Sequence, residues 1–422
     1  MRLISLLLFL LISSEVFPQE VINYDETKVP AYKLPDPLKC FSGQKVRNLK
    51  TWEKKRKPEI KDAFEQLQYG KIPGDLPLDS WQIAEESDKA LGGKAIRRQV
   101  VLTFRKNGMT LNSGLLIYLP KKEGKVPVFL GYNFNGNHAV LNDPEIIITD
   151  SWARNEPSYG TINNQFTEQS RGVESDLWAI ERIIKSGYGV ATMYYGDIDP
   201  DKDDFSDGIH PFFYKKGQVK PGNNEWGSIA AWAWGLSRAL DYLEKDPSVD
   251  ASKVIVMGHS RNGKTALWAG ATDPRFAIVI SNNSGCCGAA LSKRKFGETV
   301  QRINNSFPHW FCGNFKSFNN NESSLPVDQH ELIALIAPRP VYIASAAEDQ
   351  WADPKGEYLG GYFASPVFKL YGKTGLTAPD MPPVNQPVMN TIGYHIRTGK
   401  HSVTNYDWEQ YIHFADLHFK NK

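Results

Sequence analysis

Apolar positions in this chain come mostly in short runs bounded by turn residues. Arg98 to Phe104 and Gly114 to Leu119 run apolar or alternate on either side of Lys106-Asn107-Gly108, which predicts an antiparallel hairpin. Val126-Pro127-Val128-Phe129-Leu130-Gly131-Tyr132 predicts a buried strand leading into the polar loop Asn133 to His138. A helix over Ser175 to Ser186 and a strand over Tyr188 to Tyr195 follow. Ile229 to Leu243 predicts a long amphipathic helix that stops at Lys245-Asp246-Pro247. Beyond it, Val254 to Met257 reads as a strand and Thr265 to Ala271 as a helix. Phe276 to Ile280, Pro340 to Ser345 and Gly393 to Arg397 read as three more strands, before a final helix around Asn405 to Phe414. Residues 50–68 also have helical character. Strands alternating with helices after an opening hairpin predict an α/β fold: a mostly parallel central sheet with helices on both faces, a three-layer sandwich. The irregular stretches 139–175 and 200–225 are expected to shape a site.

Length and composition refine this picture. At 422 residues the chain is long enough for two or three domains, or for one large α/β domain with additions. Residues 1–18 resemble a secretory signal peptide, with Arg2 as the positive end and Leu3 to Ile12 as an apolar segment too short to span a bilayer. Residues 19–90, rich in proline at the start (Pro30, Pro35, Pro37), are expected to wrap a catalytic domain over residues 91–422. The expected location is therefore secreted or periplasmic, with no membrane partner.

The net charge is +2, from 49 basic and 47 acidic residues, with no basic block of the kind nucleic acid demands. The short cluster Lys54-Lys55-Arg56-Lys57 reads as a solvated helix end. Aromatic residues make up 12% of the chain, with 11 Trp, which suits either a large aromatic core or stacking on sugar rings. Cys40, Cys286, Cys287 and Cys312 have poor spacing for zinc, so no metal and no cofactor is assigned. A disulfide from Cys286 or Cys287 to Cys312 stays open.

The chemistry centres on Gly258-His259-Ser260-Arg261-Asn262-Gly263-Lys264, between a predicted strand and a predicted helix. A serine at the tip of such a turn is the layout of the nucleophile elbow of α/β-hydrolases. The turn pushes the hydroxyl out of the sheet and aims backbone N–H groups at a nascent oxyanion. Here the second glycine comes one residue late, with Asn262 in its usual place. The competing reading is a serine that merely caps the helix.

A serine nucleophile needs a base and a group to orient that base, in the chain order serine, acid, histidine. His401 follows the last predicted strand in Thr398-Gly399-Lys400-His401-Ser402-Val403, where the base belongs. His309, His395, His413 and His418 read as structural. For the acid, Asp349 stands nearest the end of its strand, Glu348 is its neighbour, and Asp353 before Pro354 could instead cap a helix. Asp349 is the preferred candidate.

These residues resemble the glucuronoyl esterases, carbohydrate esterase family 15, in their bacterial branch. The serine heptad is similar to that family's G-x-S-R-x-G-K signature. Further likeness lies in Glu348-Asp349-Gln350-Trp351-Ala352-Asp353-Pro354 with Gly356-Glu357, in Gly297-Glu298-Thr299-Val300, and in Asn304. Phe307-Pro308-His309-Trp310-Phe311 and Gly399-Lys400-His401 complete it. The likeness runs from about residue 90 to the C-terminus. It implies an α/β-hydrolase fold, attack by Ser260, proton transfer by His401, and an oxyanion held by Arg261. It also implies contacts to a uronic acid from Lys264, Trp351 and Glu298. Arg302 could reach the same site, although Glu298 could instead pair with Arg302 at helical spacing, Lys264 could be solvated and Trp351 could belong to the core. The family commonly carries its acid in an E-S-G-like turn, where this chain has Asn283-Ser284-Gly285. The family's common disulfide is absent, since His259 and Ser402 occupy its positions.

The expected protein is an exported, monomeric serine esterase without cofactor. It would cleave the ester between (4-O-methyl-)glucuronic acid of glucuronoxylan and lignin alcohols. The alternatives are an acetyl or general carboxylic esterase, and a sugar-binding protein on a decayed hydrolase scaffold.

Overall fold

A computed structural model describes residues 22–420; the signal-peptide expectation for residues 1–18 lies outside them. The strands are β1 (Ser80–Lys89), β2 (Ala95–Lys106), β3 (Met109–Pro120), β4 (Val126–Asn133), β5 (Thr161–Ile162) and β6 (Gln165–Phe166). They continue with β7 (Gly189–Tyr194), β8 (Val249–His259), β9 (Ile278–Asn282), β10 (Val341–Ala346), β11 (Val388–Met389) and β12 (Ile392–Arg397). Ten of them form one sheet in the order β1-β2-β3-β7-β4-β8-β9-β10-β12-β11, while β5 and β6 pair as a separate small hairpin. The five pairings from β7 to β12 are parallel. The β1–β2, β2–β3, β3–β7 and β11–β12 pairings are antiparallel.

The β2–β3 hairpin closes with Lys106 opposite Met109. Asn107 and Gly108 both take positive φ, 54° and 79°, as the tight two-residue hairpin turn requires. Along the parallel strands, alternate residues enter opposite cores. Phe129, Ile255, Ile278 and Tyr342 pack beneath the helices Ile180–Lys185 and Asn405–Phe419. Val128, Val256, Val279 and Ile343 pack against the helices Ser228–Leu243, Arg261–Thr272 and Gln329–Ile336 on the other face. Because both faces are covered, these strands read as unbroken apolar runs rather than alternations.

Several elements differ from expectation. The helix expected over Ser175–Ser186 is confined to Ile180–Lys185. Turns closed by Ser175 N–H to Gly172 O and Leu177 N–H to Glu174 O precede it. The helix expected to be amphipathic runs Ser228–Leu243 and is buried on nearly every side. Lys54 and Lys55 are exposed, but Arg56 is not part of a solvated helix end. It is buried, pairs with the buried Glu331 and lies 4.6 Å from the Phe41 ring centroid. Residues 22–90 also contribute edge strand β1. All four cysteines are buried free thiols, with Cys286 Sγ and Cys287 Sγ 3.6 Å apart, so neither is linked to Cys312.

Candidate active site

Strand β8 ends at His259, and Ser260 turns the chain with φ 57° and ψ −127° before the helix Arg261–Thr272 begins. A positive φ at a non-glycine residue costs energy and persists only where the surroundings impose it. Here the Ser260 N–H is tied to Asn282 O at 2.9 Å. Ser260 occupies the N-cap position, yet its side chain makes no capping hydrogen bond. The helix-capping reading is therefore not realised. Arg261, as the first helical residue, presents a backbone N–H with no intrahelical acceptor.

Close approach requires the first glycine of the turn and crowds the second. A Cβ on Gly258 would lie 1.9 Å from Asn262 O, and one on Gly263 would lie 3.0 Å from the Ser284 Cβ. The late glycine is thus the one packed on the neighbouring turn, while Asn262 is buried and directs Nδ2 towards Tyr132 O at 3.5 Å. Gly258→Ala is expected to cost about 3 kcal/mol or more of stability through overpacking against backbone, read as a lowered urea midpoint or loss of soluble protein.

His401 follows β12 and Asp349 follows β10, and the parallel pairing of those strands brings the two loops together. His401 Nδ1 and Asp349 Oδ2 are 2.6 Å apart. A carboxylate there fixes the proton on Nδ1 and leaves Nε2 as the acceptor. Asp349 is buried whereas Glu348 is exposed. The Asn283 amide donates to the same Asp349 oxygen at 2.7 Å. Burial works against ionisation of Asp349, but the bonds from His401 and Asn283 outweigh it and hold the carboxyl below its ordinary range. His259 packs behind His401 with ring centroids 4.4 Å apart. Burial, with His401 nearby, pushes His259 down to about 3, so it is a neutral wall bonded to Asn282 Oδ1 at 2.6 Å.

Ser260, Arg261 and His401 line two adjoining cavities. The smaller, about 340 Å³, is walled by Lys264, Glu298, Asn283, Phe307, Trp310 and Trp351. The larger, about 660 Å³, extends past Phe134, Glu174, Tyr195 and Asp201 to Arg154 and Tyr159 of the first long insertion. Lys264 is buried, not solvated, and its Nζ donates to Ser284 O at 2.6 Å with Glu298 Oε2 at 3.5 Å. Burial pushes the Glu298 carboxyl up, with the Lys264 charge opposing it. Trp351 is half-buried on the cavity wall rather than in the core. Arg302 is exposed on the helix Val300–Ser306 and does not line either cavity, so it is the one candidate left outside the cluster.

Comparison with known proteins gives a consistent answer. Residues 173–372 match a model of the fungal glucuronyl esterases. A solved carbohydrate esterase family 15 enzyme from a marine bacterial metagenome, described as promiscuous, is 54% identical. It has a TM-score of 0.89 over 94% of this chain and 100% of that one. The solved glucuronoyl esterase of Solibacter usitatus is 47% identical, with a TM-score of 0.88 over 93% of this chain and 100% of that one.

The chain belongs to carbohydrate esterase family 15, the glucuronoyl esterases. A 4-O-methyl-glucuronoyl methylesterase of the fungus Phanerochaete carnosa is a more distant relative, 29% identical over 81% of this chain and 72% of its own. The fold is that of the α/β-hydrolases and the protein is a carboxylic ester hydrolase.

Several residues of this glucuronoyl esterase site carry no signal in the sequence. Asp201 lies in the second irregular insertion and pairs with Arg261. Glu174 is buried at the larger cavity and accepts from the Phe134 N–H at 2.9 Å and from Asn135 Nδ2 at 2.8 Å. Burial pushes Glu174 up to about 7 despite those bonds. Neither acid stands in a recognisable motif. Asn283 stands out in the sequence only as a departure from the family's turn, not as a partner of Asp349.

Proposed function

We propose that this protein hydrolyses the ester between (4-O-methyl-)glucuronic acid of glucuronoxylan and lignin alcohols, through an acyl-enzyme on Ser260. The observation that carries the reading is the Asp349–His401 pair beside a strained, uncapped Ser260, opening on a cavity walled by Lys264, Glu298 and Trp351. Ser260 Oγ attacks the ester carbonyl while His401 takes its proton. The tetrahedral oxyanion receives the Arg261 backbone N–H and its guanidinium. In α/β-hydrolases a second backbone N–H usually comes from a loop after an earlier strand. After β4 the corresponding Phe134 N–H is engaged by Glu174, which leaves the guanidinium as the second donor. Collapse of the intermediate releases the alcohol, protonated by His401. Water activated by the same histidine then splits the acyl-enzyme to the free uronic acid.

The smaller cavity takes the acyl part. Lys264 and Glu298 offer a donor and an acceptor to ring hydroxyls, and Trp351 offers an apolar face to the ring. A small acyl group would need none of these, which disfavours an acetyl or general esterase. Lys264→Gln is expected to lower kcat/KM for a glucuronate ester by about 10- to 150-fold, which is about 1.5–3 kcal/mol of transition-state stabilisation, the range for a hydrogen bond to a charged group. It should leave hydrolysis of a short acyl ester of p-nitrophenol within about twofold, since that ester uses none of this binding energy.

The protein acts as an exported monomer in this reading, secreted or periplasmic. The deciding experiment compares benzyl glucuronate, methyl glucuronate and acetylated xylan as substrates. Strong cleavage of the benzyl ester without deacetylation supports the proposal. Deacetylation alone would favour a general carbohydrate esterase. No turnover, with Ser260 failing to react with a fluorophosphonate, would favour a sugar-binding scaffold.

A further inference from the structure

Arg261 is held in an unusual way for a residue at the mouth of a cavity. Its guanidinium sits among four aromatic rings, with centroids 5.1 Å (Trp310), 5.7 Å (Phe134), 5.8 Å (Phe307) and 6.0 Å (Tyr195) from the central carbon. Its hydrogen bonds all run through Nη1, to Asp201 Oδ2 and, at 3.4 Å, to the Tyr195 hydroxyl. Nε is buried and has no partner. Asp201 is buried and spends its other oxygen on two further donors, His309 Nε2 at 2.8 Å and Trp310 Nε1 at 2.8 Å. Burial penalises this carboxylate, yet Arg261 and the two ring donors keep it firmly ionised.

We infer that Asp201, clamped by His309 and Trp310, is a positioning residue that fixes Arg261 through Nη1 so that the Nη2 donor, not spent in these bonds, is held towards the oxyanion. The inference rests on the reading of Arg261 as an oxyanion donor. A guanidinium is planar, so packing among rings confines it but leaves its rotation undecided, and that rotation is set by the Asp201 carboxylate at Nη1, whose own orientation His309 and Trp310 lock. Preorganised donors act because they do not have to reorient as charge develops. The same clamp explains what the segment 200–225 contributes, since it delivers Asp201 from an insertion to a residue on the elbow helix.

The test is a double-mutant cycle on benzyl glucuronate. Arg261→Ala should lower kcat by about 10²-fold, as loss of an oxyanion donor does. Asp201→Asn should lower kcat between about tenfold and about 10²-fold, with KM within about threefold of wild type, since only positioning is lost. The double variant should be no slower than Arg261→Ala alone. Guanidinium at sub-denaturing concentration should restore part of the activity of Arg261→Ala but not of the double variant, because Asp201 is what would seat it. Wild-type kcat in Asp201→Asn beside a crippled Arg261→Ala overturns the inference, as do additive losses or equal rescue in both backgrounds. Wild-type kcat in Arg261→Ala overturns the oxyanion reading itself, and is distinguishable from those results. If Asp201→Asn does not fold, His309→Gln is read in the same cycle, where a kcat loss absent from the Arg261→Ala background supports the inference and an additive loss overturns it.

Discussion

Ser260→Ala is expected to reduce turnover of benzyl glucuronate by about 10⁶-fold, the scale seen when a triad serine is removed. It should also abolish labelling by a fluorophosphonate. Stability should change little, and this is the informative half of the expectation. The Ser260 side chain makes no capping hydrogen bond, so its hydroxyl is not needed to hold the helix Arg261–Thr272. Substituting a helix-capping serine by alanine typically costs about 1 kcal/mol. An unchanged melting temperature with activity lost would therefore separate a nucleophile from a cap. A variant that keeps turnover within tenfold of wild type, or that loses activity only because it unfolds, would sink the acyl-enzyme on Ser260.

Much of the scaffold is legible in the chain because its signals are local. The Asn107-Gly108 turn imposes its own backbone, and the buried parallel strands are written as continuous apolar runs bounded by polar loops. The serine turn is visible for the same reason: Gly258 marks a backbone approach that no side chain would permit, and Gly263 packs tightly on the neighbouring turn. Where the signals are not local, they fail. Strand β1 is exposed along most of its length, so no apolar face announces it. The helix Gln329–Ile336 is buried on all sides and has no polar stripe to reveal a period. The helix Pro354–Leu370 contains Gly360, whose missing Cβ lets the helix approach Ala289 O; a Cβ there would sit 2.1 Å from it. Glycine and Pro366 inside that segment argue against a helix that tertiary packing nevertheless favours. Asp353, open between acid and cap in the sequence, caps this helix through Gly356 N–H while pairing with Arg294.

The same division runs through the site. Ser260, His401 and Asp349 each follow a strand, so strand order alone brings them together. Lys264 sits one helical turn beyond Ser260 and meets Glu298 from a distant segment. Helical spacing sets Arg302 near Glu298, but spacing along a helix does not say which face turns inward. The helix Val300–Ser306 buries Val300, Ile303 and Asn304 and leaves Arg302 outside. Asp201 and Glu174 lie beyond the reach of such patterns, because each acts across the fold from an irregular segment.

The second large effect concerns the acid. Asp349→Asn is expected to lower kcat by about 10⁴-fold, the loss that follows when a triad carboxylate becomes an amide. That amide can donate to His401 Nδ1, which would move the imidazole proton to Nε2 and leave the ring unable to accept from Ser260. The geometry gives the prediction its contrast, since Asp349 is buried 2.6 Å from His401 while Glu348 is exposed beside it. Glu348→Gln should stay within about twofold of wild type, as surface substitutions away from such contacts usually do. Asn283→Ala should fall between them, because it removes the 2.7 Å bond that orients the carboxylate but leaves its charge in place. The turn where the family commonly carries glutamate would then act through the acid instead of supplying it. If Glu348→Gln is the crippling change, the acid has been misassigned. If Asn283→Ala matches Asp349→Asn in its loss, the amide is as indispensable as the carboxylate, and an acid that works only in its company must replace the simple triad.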